Sequence, residues 1–475
     1  MGRRAYVFAS AHAPYLLRLL AAASECRRVK NPCTALCFIL AAAAFGAAPR
    51  EKPIGVFDSG TGGLTVLDAM IALDGFDNRT GLPGGDGVPD FSGEAYQYLA
   101  DQANMPYGNY PAAGKTDLLR EHILKGRDFL LGASYETQAE AGRAERAKPP
   151  VKMIVIACNT ATAYGLDALK DSGVPVIGVI NAGVKAAMER QKRHPGTIGI
   201  LATAGTVASK GYPNAIQAAA RRLGIAEPSV ASQGAVGLAE SIDRDWNYLS
   251  DAATAVRTEY KGPSLTSKEL PIDPSLLPVY NFDAEKNRLL RRFDESGECV
   301  EMQLNDPANY VRYHLVALLE TVRRQRRAKP LNTLVLACTN YPYVRDTIAA
   351  VLEELRTRRY RDVLAPQVEL IDPAVETAKD AYLEMRGRGL QRAGGAAPPD
   401  AFFISVPNTS LAEVRLQPDG CFTYDYKYGR TAGAGKEYVR YVPFDAENVS
   451  GETYRRIRAT LPGVSERLSA QRPGR

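Results

Sequence analysis

From Pro53 onward, short unbroken apolar runs alternate with longer amphipathic stretches. That rhythm predicts an α/β fold with mainly parallel sheets, because strands covered on both faces read as continuous apolar segments. The candidate strands are PIGVF (53–57), AYQYLA (95–100), KMIVIA (152–157), VPVIGV (174–179), TIGIL (197–201), LNTLVLA (331–337), VELI (368–371) and AFFIS (401–405). Helical spacing covers Leu64 to Leu73, Thr116 to Leu131, Ala161 to Asp171 and Tyr343 to Leu355. Three stretches break the rhythm. Residues 74–93, rich in Gly, Pro and Asp, read as a surface loop. Residues 245–305, with four prolines among mixed charges, read as a partly ordered insertion, and residues 412–441 as a small β-hairpin appendix.

One internal echo carries more weight. MIVIACNTATAYGLDAL and TLVLACTNYPYVRDTIAAVL share a layout: an apolar strand, then Ala-Cys, then Asn or Thr, then the opening of a helix. Their cysteines, Cys158 and Cys338, lie 180 residues apart. The echo predicts two similar α/β lobes, each presenting one thiol at the carboxyl end of a strand, the edge where open α/β sheets bind ligands. The first lobe is expected to comprise residues 49–180 and 356–475, the second 181–355 with the insertion inside it.

Composition narrows the function classes. A chain of 475 residues with a net charge of +6 is an ordinary globular protein of two or three domains. Basic clusters such as Arg323 to Arg327 come without an aromatic platform or a nucleic-acid motif, and read as solvated helix ends. Seven scattered cysteines with no CxxC, and only four histidines, argue against a disulfide framework and a metal centre. At the N-terminus, basic Arg27, Arg28 and Lys30 precede the apolar run 35–45 and the small residues that follow it. This order, over about 29–46, is that of a secretory signal peptide, with residues 1–28 upstream as an extension. It predicts an exported protein starting near Ala47; the alternative is an N-terminal tail on a cytoplasmic enzyme.

A cysteine that ends an apolar strand is most often an inert core residue. Two in matched settings, each just before a helix N-terminus that stabilises thiolate, point to chemistry. Racemisation at an α-carbon needs a base on one face and an acid on the other, exchanging roles for the reverse reaction. Two thiols supply both without a cofactor. Cys299 and Cys421 lack this setting. In IGVFDSGTGGLTVL the glycines miss both nucleotide-binding patterns. Asp58 and Ser59 instead end a strand at the same sheet edge, where Asp58 can hold an ammonium or tune a thiol, or simply cap the helix that follows.

DSGTGGLTV, YLADQANMPYG, ACNTATA, ATAGTVASKGY and ACTNYP, followed in looser form by AVGLAE and LIDPAVETA, resemble the motifs of glutamate racemase in the aspartate/glutamate racemase family. They cover most of residues 53–405 outside the insertions. The resemblance implies two lobes around a cleft, no cofactor and a small-molecule substrate, glutamate or a related amino acid. It also implies a homodimer and, for a cytoplasmic enzyme, supply of D-glutamate for cell-wall synthesis. By the same resemblance Cys158 and Cys338 are the proton acceptor and donor. Asp58, Ser59, Tyr107, Gly108, Asn159, Thr160 and Thr339 are substrate contacts, and Glu240 is an assisting carboxylate. Asn340 departs from the pattern, standing where the family usually has a histidine; it can hydrogen-bond to substrate but cannot titrate. Aspartate or another dicarboxylic acid is the alternative substrate, and a non-catalytic amino-acid-binding protein the alternative class.

Overall fold

The computed structural model describes residues 49–136, 145–242, 244, 246–325, 328–395, 397–417 and 420–470. The chain divides into Met1–Ala47 and the compact unit Ala48–Arg475. The predicted export signal lies outside the described residues. Among the described residues, no helix is long and apolar enough to cross a membrane.

Within the compact unit the apolar runs form two separate sheets. The first contains β1 (Ile54–Asp58), β2 (Tyr96–Ala100), β5 (Met153–Ile156), β6 (Val176–Gly178), β13 (Ala401–Pro407) and β14 (Val439–Pro443), in the order β14-β13-β2-β1-β5-β6. All its pairings are parallel except that of β13 with β14. The second contains β7 (Thr197–Ala202), β8 (Val230–Gly234), β11 (Leu331–Ala337) and β12 (Leu364–Ile371), all parallel, in the order β12-β11-β7-β8. Two antiparallel pairs stand apart: β3 (Ser134–Glu136) with β4 (Glu145–Ala147), and β9 (Leu289–Phe293) with β10 (Cys299–Leu304).

Each sheet is covered on both faces. One core of the first sheet is closed by the helices Leu64–Ala72, Pro373–Gly387, Gly451–Thr460 and Pro462–Ala470. The other is closed by Thr116–Leu131 and Asn159–Leu169. The second sheet lies between Pro307–Arg324 with Arg345–Arg358 on one face and Val179–Arg193 with Gly211–Leu223 on the other. This double covering makes β1, β5, β7 and β11 wholly buried.

The structure refines three expectations. β12 belongs to the second sheet, paired with β11, so the chain returns to the first after Ile371 and not at residue 356. Within residues 412–441 the internal β-pairing is confined to one antiparallel bridge among the described residues, Leu416 with Phe422. The stretch also holds a short helix, Tyr424–Gly429, and leads into β14, an antiparallel edge strand on the first sheet. The insertion, expected to be partly ordered, carries regular pairing: β9 and β10 pair within it, and Ser264 bridges to both Pro271 and Gln303.

Candidate active site

The strands β1, β5, β7 and β11 end at Asp58, Ile156, Ala202 and Ala337, and the motif loops follow directly. The DSGTGG turn after β1 is folded by Asp58. Its Oδ2 accepts from the backbone N–H of Gly63 at 2.8 Å and of Gly60 at 3.2 Å. Gly63 must be glycine here, since a Cβ would come within 2.5 Å of the Asp58 Cβ and 2.9 Å of the Ala157 Cβ.

Cys158 occupies the N-cap of the helix Asn159–Leu169. Its Sγ accepts from Ala161 N–H at 3.4 Å and lies 3.5 Å from Ser59 Oγ. Burial, then the charge of neighbouring Asp58, pushes the thiol up to about 12; the Ser59 and Ala161 bonds pull the other way. Burial likewise raises the Asp58 carboxyl, against the opposing pull of the loop N–H groups and of the Cys158 thiol. Buried Asp58 and Cys158 and half-buried Ser59 thus form one contacting group.

Cys338 is half-buried at the end of β11. Burial, and after it the charges of Cys338 and Glu240, push the Tyr341 hydroxyl well up, so thiol and carboxylate share one neighbourhood. Glu240, on the short helix Leu238–Ile242, accepts from Gly237 N–H at 3.0 Å. Asn340 is buried, and its Nδ2 donates to Ala239 O at 3.3 Å, tying the second thiol's turn to the Glu240 helix.

The two sets of loops meet. A Cβ on Gly62 of the first lobe would run into Thr339 Oγ1 of the second, and one on Gly108 would come within 3.0 Å of the Gly205 Cα. Tyr212 Oη donates to Asn159 Oδ1 at 3.0 Å, and its ionisation is opposed first by burial and then by the charges of Asp372 and Cys338. The residue after one thiol is thereby joined to the surroundings of the other. Thr160 is buried in the first turn behind Cys158. Tyr107 donates its hydroxyl to the buried Asp101 at 2.6 Å, while neighbouring Gly108 faces the second lobe.

Sequence reasoning missed Tyr212, although it lies in the quoted ATAGTVASKGY motif. It also missed the support behind Tyr107: Asn104 Nδ2 reaches Asp101 at 3.0 and 3.1 Å, and Arg430 Nη2 reaches Asn104 Oδ1 at 2.7 Å. Only YLADQANMPYG hinted at a built loop there. Among the described residues, no group of three or more His, Cys, Asp or Glu side chains is arranged to hold a metal.

Residues 131–261 match the family model for Asp/Glu/hydantoin racemases. The chain is similar to the glutamate racemase of Lysinibacillus sphaericus, 29% identical over 374 residues that cover 77% of this chain and 95% of that protein. It is also similar to that of Acidothermus cellulolyticus, 27% identical over 351 residues, covering 74% and 88%. Of solved structures, a glutamate racemase isoform from Bacillus anthracis superposes with a TM-score of 0.44 at 22% identity, covering 75% of this chain and 89% of the other. Residues 131–261 thus match the Asp/Glu/hydantoin racemase family, and the chain is similar over about three quarters of its length to glutamate racemases.

Proposed function

We propose that the protein is a cofactor-independent racemase that interconverts L- and D-glutamate by proton transfer between Cys158 and Cys338. One observation carries the reading: each thiol follows a buried central strand of its own sheet, and the loops beside them touch. Relatives named glutamate racemase support the substrate. A small dicarboxylic amino acid also suits a rim of backbone N–H groups and short polar side chains at Ser59, Gly108, Asn159, Thr160, Thr339 and Asn340.

With Cys158 pushed up to about 12, its thiol is protonated at neutral pH. A substrate ammonium offsets the Asp58 charge and favours thiolate. In one direction Asp58, already in contact with Cys158, takes the thiol proton while Cys338 stays protonated; in the reverse direction Glu240 serves Cys338 and Cys158 stays protonated. One thiolate then removes the α-hydrogen as a proton, and the C–H electron pair passes into the carbanion stabilised by the adjacent carboxylate. The opposite thiol delivers its proton to the other face. Closure of the lobes excludes water during the exchange.

The test is Cys158→Ser and Cys338→Ser, each expected to lower racemisation by about 10²–10⁴-fold or more, because serine is a far weaker acid. Polarimetry with glutamate and with aspartate reads the result. Full activity in either variant overturns the two-thiol mechanism. Preference for aspartate overturns the substrate. Inertness of the unmodified protein toward both amino acids favours a binding protein.

A further inference from the structure

The insertion between β8 and β11 encloses a cavity of about 830 Å³, a size typical of small-molecule sites. Among its lining residues are Arg257, Lys261 and Arg292, and none of the three makes an ion pair among the described residues. The acidic lining residues are Glu269 and Glu301. Glu301 is engaged by the Thr266 hydroxyl and by Met302 N–H at 2.8 Å. Arg257 is the most unusual member. Its Nη1 donates to Trp246 O, while Nε and Nη2 are buried without a hydrogen-bond partner among the described residues. Those two atoms form the edge of a guanidinium that grips a carboxylate or phosphate in bidentate fashion. Its Cζ lies 5.0 Å from the Trp246 ring centroid and 5.6 Å from that of Tyr260. Buried donors left without an acceptor cost free energy, so this edge favours the arrival of an oxyanion. Trp246 is 55% exposed, and a small movement of its ring would open the way.

We propose that this cavity binds a small phosphorylated molecule, its phosphate held by the Arg257 edge with Lys261 and Arg292 supplying further positive charge. Its wall also reaches the catalytic region. Val236 lines the cavity, and the next residue, Gly237, donates to Glu240. Filling the cavity therefore alters the support of Glu240, a link that rests on the racemase reading whereas the binding itself does not.

Trp246 is the only tryptophan of the chain, so its fluorescence reports on this site alone. The full-length protein is titrated with glycerol phosphate and with inorganic phosphate at constant ionic strength set by chloride. A saturable change in emission is expected, weakened at least tenfold by Arg257→Gln. Lys261→Gln with Arg292→Gln, both exposed positions, is expected to weaken it similarly and covers the case in which the Arg257 variant misfolds. No saturable change, or the same curve in the variants, overturns the site. Saturation by inorganic phosphate with equal affinity overturns recognition of anything beyond the phosphate. Saturable binding without any change in α-deuterium exchange from either glutamate enantiomer overturns the link to Glu240.

Discussion

Asp58→Asn separates two roles that the geometry allows the carboxylate. Asp58 touches the Cys158 thiol and accepts from Gly63 and Gly60 N–H. Asparagine keeps one oxygen for Gly63, so the turn should survive at a cost of about 1 kcal/mol. Pushed up to about 12, the thiol leaves roughly one thiolate in 10⁴ at pH 8. Burial is the larger cause and Asp58 the second. Removing the charge should therefore lower the thiol's pKa only in part, raising Cys158 alkylation at fixed pH by about tenfold. Catalysis should move the opposite way. Without a group to take the thiol proton, abstraction by Cys158 should slow by about 10²–10⁴-fold. The assay pairs mass-spectrometric alkylation of the Cys158 peptide with single-turnover loss of α-deuterium from each glutamate enantiomer. Faster alkylation together with faster exchange would refute the reasoning, since Asp58 would then be only an electrostatic brake. Unchanged rates in both would remove it from the site.

Asn340→His should raise abstraction by Cys338, by up to roughly 10²-fold, because an imidazole that keeps the bond to Ala239 O brings a titratable nitrogen into the same turn. Matching changes in kcat and KM must preserve the enantiomer equilibrium, and α-deuterium loss unchanged for both enantiomers would show that residue 340 does not limit the rate. His314 gives a stability prediction. It is fully buried, with Nε2 3.0 Å from Val236 O and Nδ1 3.3 Å from Gln233 Nε2, and burial lowers it to about 4. Its folded pKa lies below the unfolded value near 6.5, so the unfolded chain binds the proton more tightly. The contribution is complete above pH 6.5 and is lost as pH falls toward 4, by about 2 kcal/mol between 6.5 and 5. Urea unfolding of the wild type and His314→Gln across that range checks it, and parallel pH dependence in the two proteins would count against the imidazole.

What the chain by itself determined is the set of buried strands and the residues at their carboxyl ends. β1, β5, β7 and β11 are covered on both faces, so their sequences had to be unbroken apolar runs. The thiol after β5 and the thiol after β11 followed from the same local pattern. β8 escaped notice for the converse reason: VASQG lies at a sheet edge, mostly half-buried, and needs no apolar run. Only the tertiary structure decided what depends on partners distant in sequence. It put β12 beside β11, because strand pairing is a matter of long-range register and not of composition. It brought Tyr212 to Asn159, Gly62 to Thr339, and Arg430 to Asn104 across 326 residues. It also left two guanidinium nitrogens of half-buried Arg257 without a partner among the described residues, in an insertion whose sequence read as only partly ordered. Local periodicity records which face of an element is dry; it carries no information about which distant polar group will meet that element there.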